Sequence, residues 1–549
     1  MLAQKLLNRI SKQPKFIITC LFFVILIIIG LLWLKHHNDT KPYGGTLRLG
    51  GLGGKPSPIN PVLTKQTISN ALIQLIFNGL IRLNKEMLPE PDLAESWETS
   101  ADGLTYTFHL RKGVRFHDGV ELTSEDVRFT YELVSDPATD SPYTSYYNIV
   151  KSREALNKYT FKITLKEPNL SNLIMTLPIA PKHLLELTRG KRLKETEFNY
   201  RPIGTGPFRF REWTKDNQVI LEANPDYYEG RPYLDRIIAI GYETFSQYWS
   251  GFMRGETDVA FFIPMENFEI AGRDPTFRTY SFPGPFTYGM EYNLKHPFLN
   301  NKKVRQALGY GINIQDINNK VEGGYGIPST GPFAPDSWNC APEIKPLVYN
   351  PALALNLLKQ AGWEPNRKGI LEKDGKEFRL TMMVNQELRN SQMIASLIYQ
   401  DLYRLGIRID LKTIDYNKSG EEKYKSLIKD AGAYLTFFTL ITNPIDFDGD
   451  WCSKYKNRVV KLWQYHKPEI DRLINLDIFQ NTTDIKQRKK IYHRIHGLIY
   501  EDQPVTFMYF MPHLAVINSK FRNTDSLFST SMPFWTIKDW YISTKELKN

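Results

Sequence analysis

Alternating apolar and polar positions mark strands along this chain. Leu47 and Leu49 alternate with Thr46 and Arg48, and Leu104, Tyr106, Phe108 and Leu110 alternate with Thr105, Thr107, His109 and Arg111, so each segment predicts a strand buried on one face. Val114 and Phe116 resume the pattern before a His117-Asp118-Gly119 turn, which predicts a hairpin, and Phe161, Ile163 and Leu165 predict another strand. In this setting turn formation and packing explain His117 better than catalysis does. Elsewhere the period is helical. Thr123 with Asp126 is an acidic capping box ahead of Val127, Thr130, Tyr131 and Val134, which share one helical face. Asn350 before Pro351 has the chemistry of a helix start, Ala354, Leu357, Leu358 and Ala361 form its stripe, and Gly362 ends it. A long helix is predicted from Asp484 to Tyr500, on Ile491, Ile495, Leu498 and Ile499. The break at 202–208, PIGTGPF, marks a domain crossing. Strands and helices are mixed throughout, which predicts a mixed α/β (α+β) class.

A different pattern occupies the start of the chain. From Phe16 to Leu34 no residue is charged, and at about 1.5 Å per residue such a helix crosses most of a hydrocarbon layer. Trp33, Leu34, Lys35, His36 and His37 close the run where a signal peptide would carry small residues, so cleavage is not expected. Cys20 opens the run rather than closing it, which argues against lipid attachment there. Lys5, Arg9, Lys12 and Lys15 precede it without an acid. These features predict a cytoplasmic tail over 1–15, one transmembrane helix over 16–34, a polar linker over 35–43, and the bulk of the chain on the periplasmic or extracellular side of the cytoplasmic membrane.

Length and composition narrow the function. The 549 residues are 42% hydrophobic and 23% charged, a folded body of about three or four units at roughly 150 residues each. The net charge of +11 is partly concentrated before residue 44, and the remainder is dispersed without a basic stripe or nucleic-acid motif, so no nucleic-acid partner is expected. Three cysteines without a CxxC spacing form no disulfide framework or zinc site. Neither Cys340 nor Cys452 is expected to be essential for folding, and whether they pair stays open. The loop GGLGGKPSPINP completes neither GxxxxGK[ST] nor GxGxxG. The absence of a GxSxG elbow or HExxH pair, with no cysteine nucleophile beside an evident partner, predicts a non-enzyme without cofactor or catalytic residues.

Several blocks in succession resemble the family 5 extracellular solute-binding proteins, the dipeptide, oligopeptide and nickel receptors of ABC importers. They are GGTLRLG at 44–50, LAESWETSADGLTYTFHLRKGVRFHDGVELTSEDVRFTYE at 93–132, GTGPFRFREW at 204–213, NPDYYEGRPYLDRI at 224–237, GETDVA at 255–260, KKVRQALGYGI at 302–312 and YNPALALNLLKQAGW at 349–363. The resemblance implies a two-lobed clamshell with an extra domain. Lobe I would comprise 44–80, 203–292 and 512–549, the extra domain 81–202, and lobe II 293–511, with a hinge at crossings near 292 and 511. It also implies capture of a peptide or similar small solute and delivery to an ABC permease. The alternative is a membrane-tethered sensor using the same clamshell, although a tail of about 15 residues is too short to hold a signalling domain.

The resemblance implies a site between the lobes. The Gly/Pro loop, with Gly53, Gly54 and Asn60, offers backbone donors, and the stretch Phe437, Phe438, Thr439, Leu440, Asn443 and Asp446 occupies the place from which relatives reach their ligand. Peptide-binding relatives carry a W-x-x-D stretch whose acid holds the ligand's α-amino group. Aligned on Pro444, this chain has Phe437 for the tryptophan and Leu440 for the acid, so that charge anchor is absent and Asp446 is the candidate substitute. Asp446, Asp448 and Asp450 resemble a calcium loop, but Trp451 replaces the required glycine, so no metal is expected.

Overall fold

The computed structural model describes residues 41–54, 58–64, 67–84, 88–166, 175–216, 218–335, 337–386, 390–415, 431–439, 451, 465–479, 485–524 and 536–547. The apolar run 16–34 and its cytoplasmic tail lie outside the described residues. Among those described, no helix is long and apolar enough to cross a membrane.

One sheet organises most of the chain. Its strands, with intervening ones named for order, are β1 (Thr46–Leu52), β2 (Ile81–Leu83), β3 (Pro89–Pro91), β4 (Ala94–Thr99), β5 (Thr105–Leu110), β6 (Val150–Asn157), β7 (Thr160–Leu165), β8 (Phe208–Trp213), β9 (Val219–Ala223), β10 (Arg236–Tyr242), β11 (Val259–Phe261), β12 (Phe277–Tyr292), β13 (Ile327–Pro328), β14 (Glu364–Pro365), β15 (Leu371–Lys373), β16 (Lys376–Glu377), β17 (Arg379–Asn385), β18 (Arg408–Ile414), β19 (Ala433–Thr439) and β20 (Val505–Asn518). The large sheet runs β18-β17-β19-β12-β20-β11-β1-β10-β9-β8, and β13 also pairs with β20. The long strands β12 and β20 therefore join two halves, β11 to β8 on one side and β18 to β19 on the other.

Their ladder is broken in the middle. Phe277 to Pro283 pair with Pro512 to Asn518, the register slips between Pro283 and Thr287, and Gly289 to Glu291 then pair with Val505 to Phe507. A separate four-stranded antiparallel sheet, β4-β5-β7-β6, is built from residues 94–165. Its strand β5 buries Tyr106, Phe108 and Leu110, as the alternation predicts. The hairpin expected around His117-Asp118-Gly119 is reduced to one bridge, Arg115 to Glu121.

Helices follow their local signals. Ser124–Ser135 (α1) starts on the predicted capping box, in which the Thr123 N–H donates to the Asp126 carboxylate at 2.9 Å. Pro351–Gln360 (α2) is capped by Asn350, whose carbonyl oxygen accepts the Leu353 N–H at 2.9 Å. The last long helix runs Ile485–Asp502 (α3) and buries Ile495, Leu498 and Ile499.

Two cores match the two halves of the sheet. Leu47, Leu49 and Ile237 share one cluster with Phe108, Tyr131 and Phe161 of the four-stranded sheet and its helix, so those two units are fused through apolar contacts. Tyr288, Met290, Leu380, Ile398 and Leu435 form the second core. A third cluster crosses between them, where Leu83, with Leu88 against it, packs with Phe333, Trp338, Trp451 and Tyr492.

Candidate ligand cleft

Strands β1 and β10 are parallel, and β11 is parallel to β1 through Leu49 opposite Val259. Their carboxyl ends therefore collect at one edge, the position at which open α/β sheets present ligands. Gly53 and Gly54 lie there with φ of 111° and 71°. The Gly54 N–H donates to the Tyr242 carbonyl at 3.0 Å, and a Cβ on Gly54 would stand 2.6 Å from a Glu243 carboxylate oxygen. The positive φ values favour glycine at both positions, and the Glu243 side chain would have to move aside for any larger residue at 54.

Beyond the glycines the chain forms a wall. Asn60 is fully buried; its amide donates to Asn199 Oδ1 at 2.8 Å, and its carbonyl oxygen accepts the Val62 N–H at 3.0 Å. The Ser141 hydroxyl donates to the Val62 carbonyl and the Tyr143 hydroxyl to that of Thr64, which fastens 141–147 to 60–64. Behind this seam lies a cavity of about 410 Å³, lined by Ile73, Gln74, Leu83, Tyr143, Tyr146 and Leu177 among others, and none of the described residues in its wall carries a charge. Leu83 belongs both to this wall and to the cluster with Phe333 and Trp338, so the cavity sits where the two halves of the molecule meet. Such a space suits an uncharged, partly aromatic or aliphatic group.

The opposite border is the break between β12 and β20. His513 stands edge-on to Phe262, with ring centres 4.4 Å apart, and to Phe282 at 5.5 Å. Burial pushes the imidazole down to about 4, so it is neutral at pH 7. Phe286, at the end of the break, is opposite Thr439, the last residue of β19. The glycine edge, the aromatic group and the exit of β19 thus border one region.

Residues 89–457 match the family described as bacterial extracellular solute-binding proteins, family 5 Middle. The chain belongs to this family. It is 32% identical over 488 residues to the oligopeptide-binding protein AppA of Bacillus subtilis (strain 168), covering 87% of this chain and 88% of the relative. The structure of AppA in complex with a nonapeptide is similar at a TM-score of 0.62 and 28% identity, covering 92% of this chain and all of that one. Glutathione-binding protein GsiB of Escherichia coli (strain K12) is 28% identical, with 82% and 86% covered. NikZ of Campylobacter jejuni, solved with Ni(L-His), gives a TM-score of 0.65 at 26% identity, with 90% and 99% covered. Family 5 proteins bind solutes, and none of these three names describes a sensor.

Within this family 5 fold the sequence-derived residues fall into four groups. Gly53 and Gly54 are at the strand edge. Asn60 is beside it, but its side chain is directed into the protein, where it holds the wall. Phe437, Phe438 and Thr439 lie at the register positions of Tyr288, Thr287 and Phe286, whereas Leu440, Asn443 and Asp446 lie outside the described residues. Reading the sequence missed Ile73, Gln74, Tyr143, Tyr146, Phe262 and His513. For the tyrosines a signal existed: Tyr143, Tyr146 and Tyr147 follow Pro142 in one short polar segment. Among the described residues no three His, Cys, Asp or Glu side chains are grouped to hold a metal ion.

Proposed function

We propose that this chain captures a peptide or similar small solute between two lobes outside the cytoplasmic membrane and delivers it to an ABC permease. The observation that carries this reading is the tyrosine-lined cavity at the junction of the two halves, in a family whose relatives include an oligopeptide-binding protein. The proposed lobes keep the boundaries 44–80 with 203–292 and 512–549, 81–202, and 293–511. The four-stranded sheet falling inside 81–202 supports this division, and the break in β12 and β20 supports a hinge between the lobes. The apolar run 16–34 supports a single-pass anchor that holds the protein beside its permease.

The binding test is calorimetry with matched tripeptides, free and N-acetylated. With Leu440 in place of an acid, acetylation is expected to cost less than about tenfold, or roughly 1.4 kcal/mol. A larger loss assigns the α-amino group to another acid, Asp446 first, and no binding of any short peptide sinks the peptide reading. Intact mass of the membrane fraction tests the anchor, which a chain starting after residue 34 would refute.

A further inference from the structure

Phe262 follows β11 with φ of 55° and is 50% exposed. A bulky side chain rarely adopts this left-handed conformation, and for a simple turn Gly or Asn would serve with less strain. Both flanks hold it in place. The Phe261 N–H donates to the Tyr248 hydroxyl at 2.7 Å, and the Ile263 N–H donates to the Leu514 carbonyl at 3.2 Å. Pro264 then precedes the helix Met265–Gly272. The ring is therefore fixed at the carboxyl edge that carries Gly53 and Gly54, and edge-on to His513 beside the break in β12 and β20. His513, which Phe262 meets edge-on, and Phe282, which packs on the His513 ring in turn, bring no charge at pH 7.

We propose that Phe262 is a ligand-contacting residue, its ring held out at the base of the cleft to receive an uncharged apolar part of the solute. The inference rests on the solute-capture reading above and adds the residue and the class of group it takes. Contact with ligand explains why an aromatic ring occupies a backbone position suited to glycine: the strain is retained for the surface it presents.

The test uses the full chain and the variants Phe262→Ala, Phe262→Gly and Phe262→Tyr, with Ala-Phe-Ala and Ala-Glu-Ala as probes. Wild type should prefer Ala-Phe-Ala, Phe262→Ala should lose about tenfold or more of that affinity, as buried aromatic contacts do, and Phe262→Tyr should stay within about threefold. Thermal melting without ligand separates this role from packing. Ala and Gly both remove the ring, and at an ordinary position Gly is the less stable. At φ of 55° the Gly variant should melt above the Ala variant. Binding by Phe262→Ala within about twofold of wild type, or Ala melting at or above Gly, overturns the proposal. If wild type takes neither peptide, the peptide reading falls, and the melting order still decides whether the ring is held under strain.

Discussion

Pro283 and Pro512 are partners in the ladder between β12 and β20. Neither has an N–H to donate, so the strands that join the two halves of the sheet among the described residues lack reciprocal hydrogen bonds at that level. Gly284 follows directly, with space for a Cβ denied by the Met511 carbonyl at 2.5 Å and the His513 ring at 2.9 Å. A weak ladder seated on one glycine is the construction expected of a hinge.

Gly284→Val should therefore impair closure. Forcing a side chain against Met511 and His513 is expected to cost about 1–3 kcal/mol of stability and to weaken ligand binding about tenfold or more. Small-angle scattering with and without ligand should show a smaller change in radius than in wild type. A variant that binds within about twofold and contracts normally would place the hinge elsewhere.

The cavity wall depends on one buried amide. Asn60→Ala would leave the Val62 N–H and Asn199 Oδ1 without their partner, a cost of about 2 kcal/mol. Urea unfolding of the variant should show that loss, with weaker binding because the 60–64 segment forms the cavity edge at Pro61. Wild-type stability in the Ala variant would show that the wall is held by Ser141 and Tyr143 instead.

Asn60 also shows what could be read from the chain. Local rules were sufficient for β1, for the Thr123 capping box and for the helix beginning at Asn350, because each is decided within a few residues. An asparagine after a Gly/Pro loop looks like a ligand group until Asn199, 139 positions away, is placed against it. The register break at Pro283 and the conformation of Phe262 are likewise products of contacts with β20, more than 200 residues distant in sequence. The expectation of two lobes came only from the succession of family blocks, since strand alternation does not say which strands cross between the halves of the sheet.

Asp92 joins the four-stranded unit to the large sheet. Its carboxylate accepts the Asn78 amide at 3.0 Å and the Tyr228 hydroxyl, and burial raises it to about 6 despite these donors. With a folded value above the ordinary 3.8, the folded state binds more protons between about pH 4 and 6. Stability from this group is present at low pH and lost as pH rises through 6. Asp92→Asn should remove that component and be at least as stable as wild type at pH 8, whereas Asp92→Ala should lose about 2 kcal/mol by stranding Asn78 and Tyr228. A strongly destabilised Asn variant would mean that the charge is required, most directly by Arg82.

His117 gives the opposite pH dependence. Its Nδ1 accepts the Gly204 N–H at 3.3 Å, so its Nε2–H donates to the Gly206 carbonyl at 3.0 Å, and the neutral ring clamps the four-stranded unit to the 204–206 loop. A proton on Nδ1 would abolish the first bond, and burial already pushes the group down to about 4; burial does the same to His496 and His513. Because these folded values lie below the ordinary 6.5, the unfolded chain binds more protons between pH 6.5 and 4. The contribution is therefore complete above 6.5 and is lost as pH falls through that window, by up to about 1.4 kcal/mol per pH unit for each histidine. His117→Asn keeps an acceptor near Gly204 but cannot titrate. Melting from pH 7 to 5 should show a decline shallower by about one proton, and since Asp92 and the other histidines are unchanged in both proteins their effects cancel. An unaltered slope would mean that His117 titrates normally in the folded chain and that the clamp does not depend on its neutral form.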